Sequence, residues 1–86
     1  MTTVKIYTTK MCPYCIAAKR LLKAKEAQIE EIDVTFDYKG RQNMTRKAGG
    51  STSVPQIFIG DTHVGGCDEL MALERNGALD PMLQAG

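Results

Sequence analysis

The chain has 86 residues, enough for one domain (1–86) that buries roughly 60–70% of its unfolded surface. Eleven Lys and Arg stand against ten Asp and Glu, a net charge of +1, so no global field marks nucleic acid or an anionic membrane as partner. Hydrophobic residues make up 43%, which excludes disorder, and three cysteines is too few and too odd a count for a disulfide scaffold.

The opening "MTTVKIYTT" lacks a basic segment followed by a long apolar run, so it does not read as a signal peptide, and no apolar stretch would span a bilayer. The expected compartment is the cytoplasm. Within the opening, "TVKIYTT" (Thr3–Thr9) is rich in β-branched and aromatic residues and predicts a strand. From Pro13 to about Lys25 the pattern turns helical. Ile16, Ala17, Leu21 and Ala24, with Ala18 and Leu22 beside them, form the expected apolar face. "QIEEIDVT" (Gln28–Thr35) predicts a second strand with Ile29, Ile32 and Val34 buried. A second helix is expected from Asp37 to about Ala48, weakened at its start by Gly40 and ended by Gly49-Gly50.

"PQIFIG" (Pro55–Gly60) predicts a third strand, and "DTHVGG" (Asp61–Gly66) a tight turn and a short fourth. A third helix is expected from about Cys67, with Leu70, Met71, Leu73 and Ala78-Leu79 apolar and Gly77 as its breaker. A short helical turn is expected after Asp80-Pro81. The order β-α-β-α-β-β-α predicts an α/β fold with a mixed four-stranded sheet flanked by helices on both faces.

Chemistry concentrates where the first strand meets the first helix. Cys12 precedes the helix and Cys15 lies in its first turn, three residues on and within reach of a disulfide. Pro13 suits the first helical position, where an N–H has no partner. Cys12 then sits at the positive end of the helix dipole, beside free N–H groups and Lys10, where a thiolate is stabilised. A stabilised thiolate is more populated but less nucleophilic, and the two effects roughly cancel in attack. The clear gain comes when the sulfur must leave again. Cys12 therefore suits picking up a sulfur-linked group and releasing it, while Cys15, deeper in the helix, stays a thiol. The alternative reading of these cysteines is a zinc module built from Cys12, Cys15, His63 and Cys67.

Three motifs in order, Lys10 with "CPYC" (Cys12–Cys15), "SVPQIFI" (Ser53–Ile59) and "GGCDE" (Gly65–Glu69), resemble the glutaredoxins, and among them the small bacterial dithiol type. The chain has no tryptophan and so lacks the "WCGPC" of thioredoxins. The resemblance implies a thioredoxin fold. It implies a glutathione-dependent thiol–disulfide oxidoreductase, acting on glutathione mixed disulfides and protein disulfides with no tightly bound cofactor. Cys12 would be the nucleophile and Cys15 the resolving thiol. Val54 would pair with glutathione through its backbone, beside a cis Pro55; the bland alternative is a trans proline opening an edge strand. Amides around Gly66, Cys67 and Asp68 would bind the γ-glutamyl carboxylate, and Asp68 its ammonium. Lys10 and Arg41 would hold the glycyl carboxylate, and Tyr14 would line the groove. Otherwise, Arg41 is a solvated helix residue and Asp68-Glu69 an acidic first turn. Cys67 is either a site of oxidation or an inert small residue.

Two positions depart from the family pattern: Ser53 replaces its usual threonine, and Glu69 its second aspartate. The implied partners are glutathione and disulfide-bearing or glutathionylated proteins, ribonucleotide reductase among the candidates, with the chain a monomer. A competing function is an iron–sulfur cluster carrier using Cys12 and glutathione, against which Pro13 stiffens the loop.

Overall fold

A computed structural model describes residues 2–85. The elements are β1 (Thr3–Thr8), α1 (Pro13–Ala24), β2 (Gln28–Asp33), α2 (Tyr38–Lys47), β3 (Gln56–Ile59), β4 (Thr62–Gly65), α3 (Cys67–Arg75) and α4 (Leu79–Gln84). The sheet runs β2-β1-β3-β4, with β1 parallel to β2 and antiparallel to β3, and β3 antiparallel to β4. This is the expected mixed sheet.

Strand alternation assigns the two faces. Val4 and Ile6 of β1 sit opposite Ile59 and Ile57 of β3. All four are buried with Ala18 and Leu22 of α1, Leu70 of α3, and Leu79 and Leu83 of α4. On the other face Tyr7 and Val34 enclose Met44 of α2, with Ile32, Val54 and Phe58 against them. The α1 end is tied down as well. Lys25 Nζ lies 2.9 Å from both Glu74 and Asp80, and these carboxylates, Asp80 first, raise its affinity for a proton.

Several element ends differ from the sequence reading, each for a local reason. The β2 strand stops at Asp33 rather than Thr35, because Asp33 Oδ1 accepts the Thr35 N–H at 2.8 Å and its hydroxyl at 2.6 Å, turning the chain. The β3 strand begins at Gln56, since Pro55 has no N–H for a ladder. In α2, Asp37 accepts the Gly40 N–H at 2.9 Å. A side chain at position 40 would collide with that carboxylate, so Gly40 serves the cap rather than merely weakening the helix. The last helix starts at Leu79, before Asp80-Pro81.

The buried face of α1 is Cys15, Ala18 and Leu22. Ile16 is 51% exposed and Ala24 is also outside, contrary to the expected face. The spacing of Cys15, Ala18 and Leu22 (i, i+3, i+7) is helical, but a cysteine takes the place that hydropathy assigned to Ile16.

Candidate active site

The turn after β1 carries the chain into α1. Met11 adopts a left-handed φ of 60°, and Cys12 becomes the N-cap. Its Sγ accepts the Cys15 N–H at 3.2 Å, the role an oxygen usually plays at a helix start. Cys12 Sγ is also 3.9 Å from the Val54 carbonyl oxygen. The sulfur is thus part-exposed, held between one free helix end and one irregular strand end. The described cysteines are all unpaired thiols.

Cys15 is 1% exposed. Burial above all, and then the hydrogen bond to Cys12, push its thiol up to about 12. Cys12 is part-exposed and Cys15 enclosed, so the two sulfurs differ in access.

The Val54–Pro55 peptide is cis, as the resemblance implies. Val54 lies beyond the last β1–β3 rung, Tyr7 with Gln56. Among the described residues its N–H and C=O enter no backbone hydrogen bond. A groove of about 180 Å³ runs past it, lined by Tyr14, Ser53, Val54, Pro55 and the segment Gly66–Glu69. A larger hollow, about 330 Å³ between Lys5, Lys47 and Phe58, lies away from the cysteines.

At the far wall, α3 starts at Cys67 without a side-chain cap. Glu69 folds back so that Oε1 accepts the Gly66 N–H at 2.7 Å. A side chain at Gly65 would strike that carboxylate, and its φ of +114° favours glycine independently. The longer acid at position 69 therefore closes on its own loop. It also occupies the Gly66 amide, which corrects the expectation that this amide is open to a ligand. The other N–H groups of the first α3 turn, like those of any helix start, have no partner within the helix.

Not every expected residue converges here. The Lys10 ammonium stands 5.9 Å over the exposed Phe36 ring, and its backbone N–H donates to Thr35. Arg41 donates to the Thr52 carbonyl at 3.0 Å, bracing the segment before Ser53. Neither lines the groove. Cys67 does, yet it is buried in the core, and burial, then Asp68 and Cys12, push its thiol up. That keeps it protonated and favours the inert reading.

The zinc set is not assembled. His63 Nε2 meets Gln56 Oε1 at 2.8 Å, and its ring stacks on Phe58 at 4.8 Å. Among the described residues no group of three or more His, Cys, Asp or Glu could hold a metal.

Gln56 is the site residue that sequence reasoning missed. It is 2% exposed. Its amide nitrogen lies 2.9 Å from Ser51 Oγ, 3.0 Å from the Ser53 carbonyl and 3.2 Å from Ser53 Oγ. It thus fixes the segment that presents Val54, and it gives the Ser53 hydroxyl a structural partner. A polar residue amid "VPQIFI" was the available signal. Gln56→Leu should cost ~0.5–1.5 kcal/mol by removing hydrogen bonds whose Ser53 and His63 partners are exposed enough for water to take over. It should also loosen the segment that presents Val54, read as shifted Ser53 and Val54 amide resonances beside thermal unfolding; unchanged resonances would overturn this role.

With this geometry in place, comparison with known proteins is informative. Residues 4–64 match the glutaredoxin family model. A glutaredoxin of Pseudomonas aeruginosa is 56% identical over 85 residues, covering 99% of this chain and all of the relative. The solution structure of a Brucella melitensis glutaredoxin superposes with TM-score 0.85 at 49% identity, covering 98% of this chain and 90% of that one. A buckwheat glutaredoxin–glutathione complex gives TM-score 0.85 at 30% identity, covering 95% and 76%.

Proposed function

The chain belongs to the glutaredoxin family and is a thiol–disulfide oxidoreductase with a thioredoxin fold, and we propose that glutathione is its reductant. The observation that carries this reading is the groove itself. It is lined by Val54, whose carbonyl oxygen is 3.9 Å from the Cys12 sulfur and whose backbone enters no backbone hydrogen bond among the described residues, and it ends at the first turn of α3, Cys67 and Asp68. Glutathione has matching parts: a central thiol, a peptide backbone that can pair with an extended residue, and a γ-glutamyl end with a carboxylate and an ammonium. The buckwheat relative in complex with glutathione supports the same reading.

The proposed cycle conserves electrons at each exchange. The Cys12 thiolate attacks the glutathione sulfur of a mixed disulfide, forming Cys12–S–S–glutathione and expelling the substrate thiolate, which takes a proton from water. A second glutathione thiolate attacks the bound glutathione sulfur, forming glutathione disulfide and releasing Cys12 as its thiolate. The helix start, with the Cys15 N–H on the sulfur, favours that departure. Tyr14 and Ser53 flank the bound tripeptide. Asp68 takes the ammonium, and the amides of Cys67 and Asp68 take the carboxylate. Lys10 and Arg41 act as peripheral cations toward the glycyl end. We place the protein in the cytoplasm as a monomer acting on glutathionylated or disulfide-bonded proteins, ribonucleotide reductase among them; no helix among the described residues is long and apolar enough to cross a membrane.

Asp68→Ala should lower kcat/KM for a glutathionylated peptide about 3- to 10-fold, less than a shielded charge-assisted bond of ~1.5–3 kcal/mol, because this edge is wet. Lys10→Ala should have a smaller effect, since its ammonium rests on Phe36. The control is a small neutral disulfide lacking the glutamyl end. Wild-type kcat/KM in Asp68→Ala on the glutathionylated peptide would refute the binding mode.

A further inference from the structure

Helix α1 divides the surface around Cys12 into two sides. The groove lies on one. On the other, Ile16, Arg20 and Lys23 form a stripe at i, i+4 and i+7, along which they and Lys19 line a shallow hollow of about 290 Å³. The stripe begins one turn from the Cys12 sulfur with the half-exposed Ile16.

Its charge is uncompensated. The helix carries Lys19, Arg20 and Lys23 and no acidic residue, on a chain whose net charge is only +1. Lys19 pairs with Glu31 at 3.0 Å. Arg20 and Lys23 form no ion pair among the described residues. Of the ten acidic residues, Asp68, Glu69, Glu74 and Asp80 lie on α3 and α4, and Glu31 of β2 is the one that an ion pair ties to α1 among the described residues. Two free cations beside an exposed isoleucine, continuous with a nucleophilic sulfur, make a surface for an acidic segment with one apolar anchor.

We propose that the α1 stripe Ile16–Arg20–Lys23 docks the protein arm of the mixed disulfide, and that it selects substrates whose cysteine is flanked by acidic residues. The inference rests on the glutathione reading above and adds the class of protein substrate. A mixed disulfide has two arms. With glutathione in the groove, the departing arm has the opposite side of α1 open to it. Long-range attraction from the stripe would act chiefly on encounter, so its signature is kcat/KM and salt dependence rather than kcat.

The test uses glutathionylated peptides of equal length with acidic, neutral or lysine-rich flanks, assayed with excess glutathione. The wild type should favour the acidic peptide, with the preference shrinking as salt rises from about 20 to 500 mM. Arg20→Glu with Lys23→Glu should lower kcat/KM on the acidic peptide roughly 5- to 20-fold at low salt and raise it on the lysine-rich one. Arg20→Gln with Lys23→Gln, read beside circular dichroism, gives a smaller shift in the same direction and guards against misfolding. Equal losses on all three peptides, or no loss, would overturn the docking surface. So would a reversal variant that changes only adhesion to anionic vesicles, which would assign the cations to a membrane surface. A wild type inactive on the neutral peptide would instead overturn the glutathione reading itself.

Discussion

Cys12→Ser should lose both reduction of glutathionylated peptide and reduction of a protein disulfide, on the order of 10³-fold or more. Cys15→Ser should keep the first and lose most of the second. The difference follows from where α1 puts the two sulfurs. Cys12 is part-exposed at the helix cap, with an N–H on its sulfur. Cys15 is enclosed, its thiol pushed up to about 12. At pH 7 such a thiol is ionised about once in 10⁵ molecules, against about 3% for a free cysteine. That loses ~3.5 log units of population, of which higher nucleophilicity returns ~1.5. Cys15 therefore starts ~2 log units slower than a free thiol, before burial restricts access, and cannot stand in for Cys12.

Cys15 can nonetheless resolve an enzyme–substrate adduct, because forming the adduct changes its surroundings. Two of the causes that raise its proton affinity, the hydrogen bond to Cys12 and the Cys12 charge, vanish when Cys12 is held in a disulfide. Burial remains, opposed by Lys19 and the Thr9 backbone. The Cys12 sulfur is then a few ångströms away on the same chain, and intramolecular attack carries a high effective molarity. The thiolate of Cys15 attacks Cys12 Sγ, the Cys12–Cys15 disulfide forms, and the substrate leaves as a thiolate. Glutathionylated peptide with excess glutathione tests the first cycle. A protein disulfide in single turnover without glutathione tests the second. An active Cys12→Ser, or a Cys15→Ser inactive on the glutathionylated peptide, would show the assignment to be reversed.

The cysteine pair was legible in the sequence because its signals are local: a strand pattern, a proline at the first helical position and two sulfurs three residues apart. Element order was legible for the same reason. What escaped was set by contacts between distant segments. Ile16 reads as core by hydropathy, yet Cys15 occupies the inward position and leaves Ile16 outside. Glu69 reads as a departure from the family's second aspartate or as part of an acidic first turn, but where its longer side chain goes, back to the Gly66 N–H, is not written in the motif. Gln56 reads as a strand residue of no account until His63 and the Ser51–Ser53 turn are brought to its two ends. Lys10 reads as a partner for the Cys12 sulfur, but Phe36, 26 positions away, offers its ammonium a ring face. Motif spacing carries no information about such pairings.

The reduced protein should lose stability as pH rises above about 9, with Cys15 alone contributing a slope approaching about 1.4 kcal/mol per pH unit. The sign follows from which state holds the proton. Unfolded, the thiol titrates near its ordinary value of about 8.5–9; folded, burial and Cys12 hold it protonated to about 12. Below 9 both states are protonated and the contribution is fully present. Between 9 and 12 only the unfolded chain releases the proton, so alkali favours unfolding. Cys67, also pushed up, adds in the same sense, as does Lys25, whose ion pairs raise its folded proton affinity. The Cys15 share is isolated by difference: denaturant midpoints of reduced wild type and reduced Cys15→Ser, measured from pH 8 to pH 10.5, should diverge in slope by up to one proton. Parallel slopes would mean that the Cys15 thiol is solvated, and would remove the physical basis for keeping it silent until Cys12 has reacted. The same desolvation thus has two consequences, an alkaline weakness of the reduced fold and a resolving thiol that does not compete with the nucleophile.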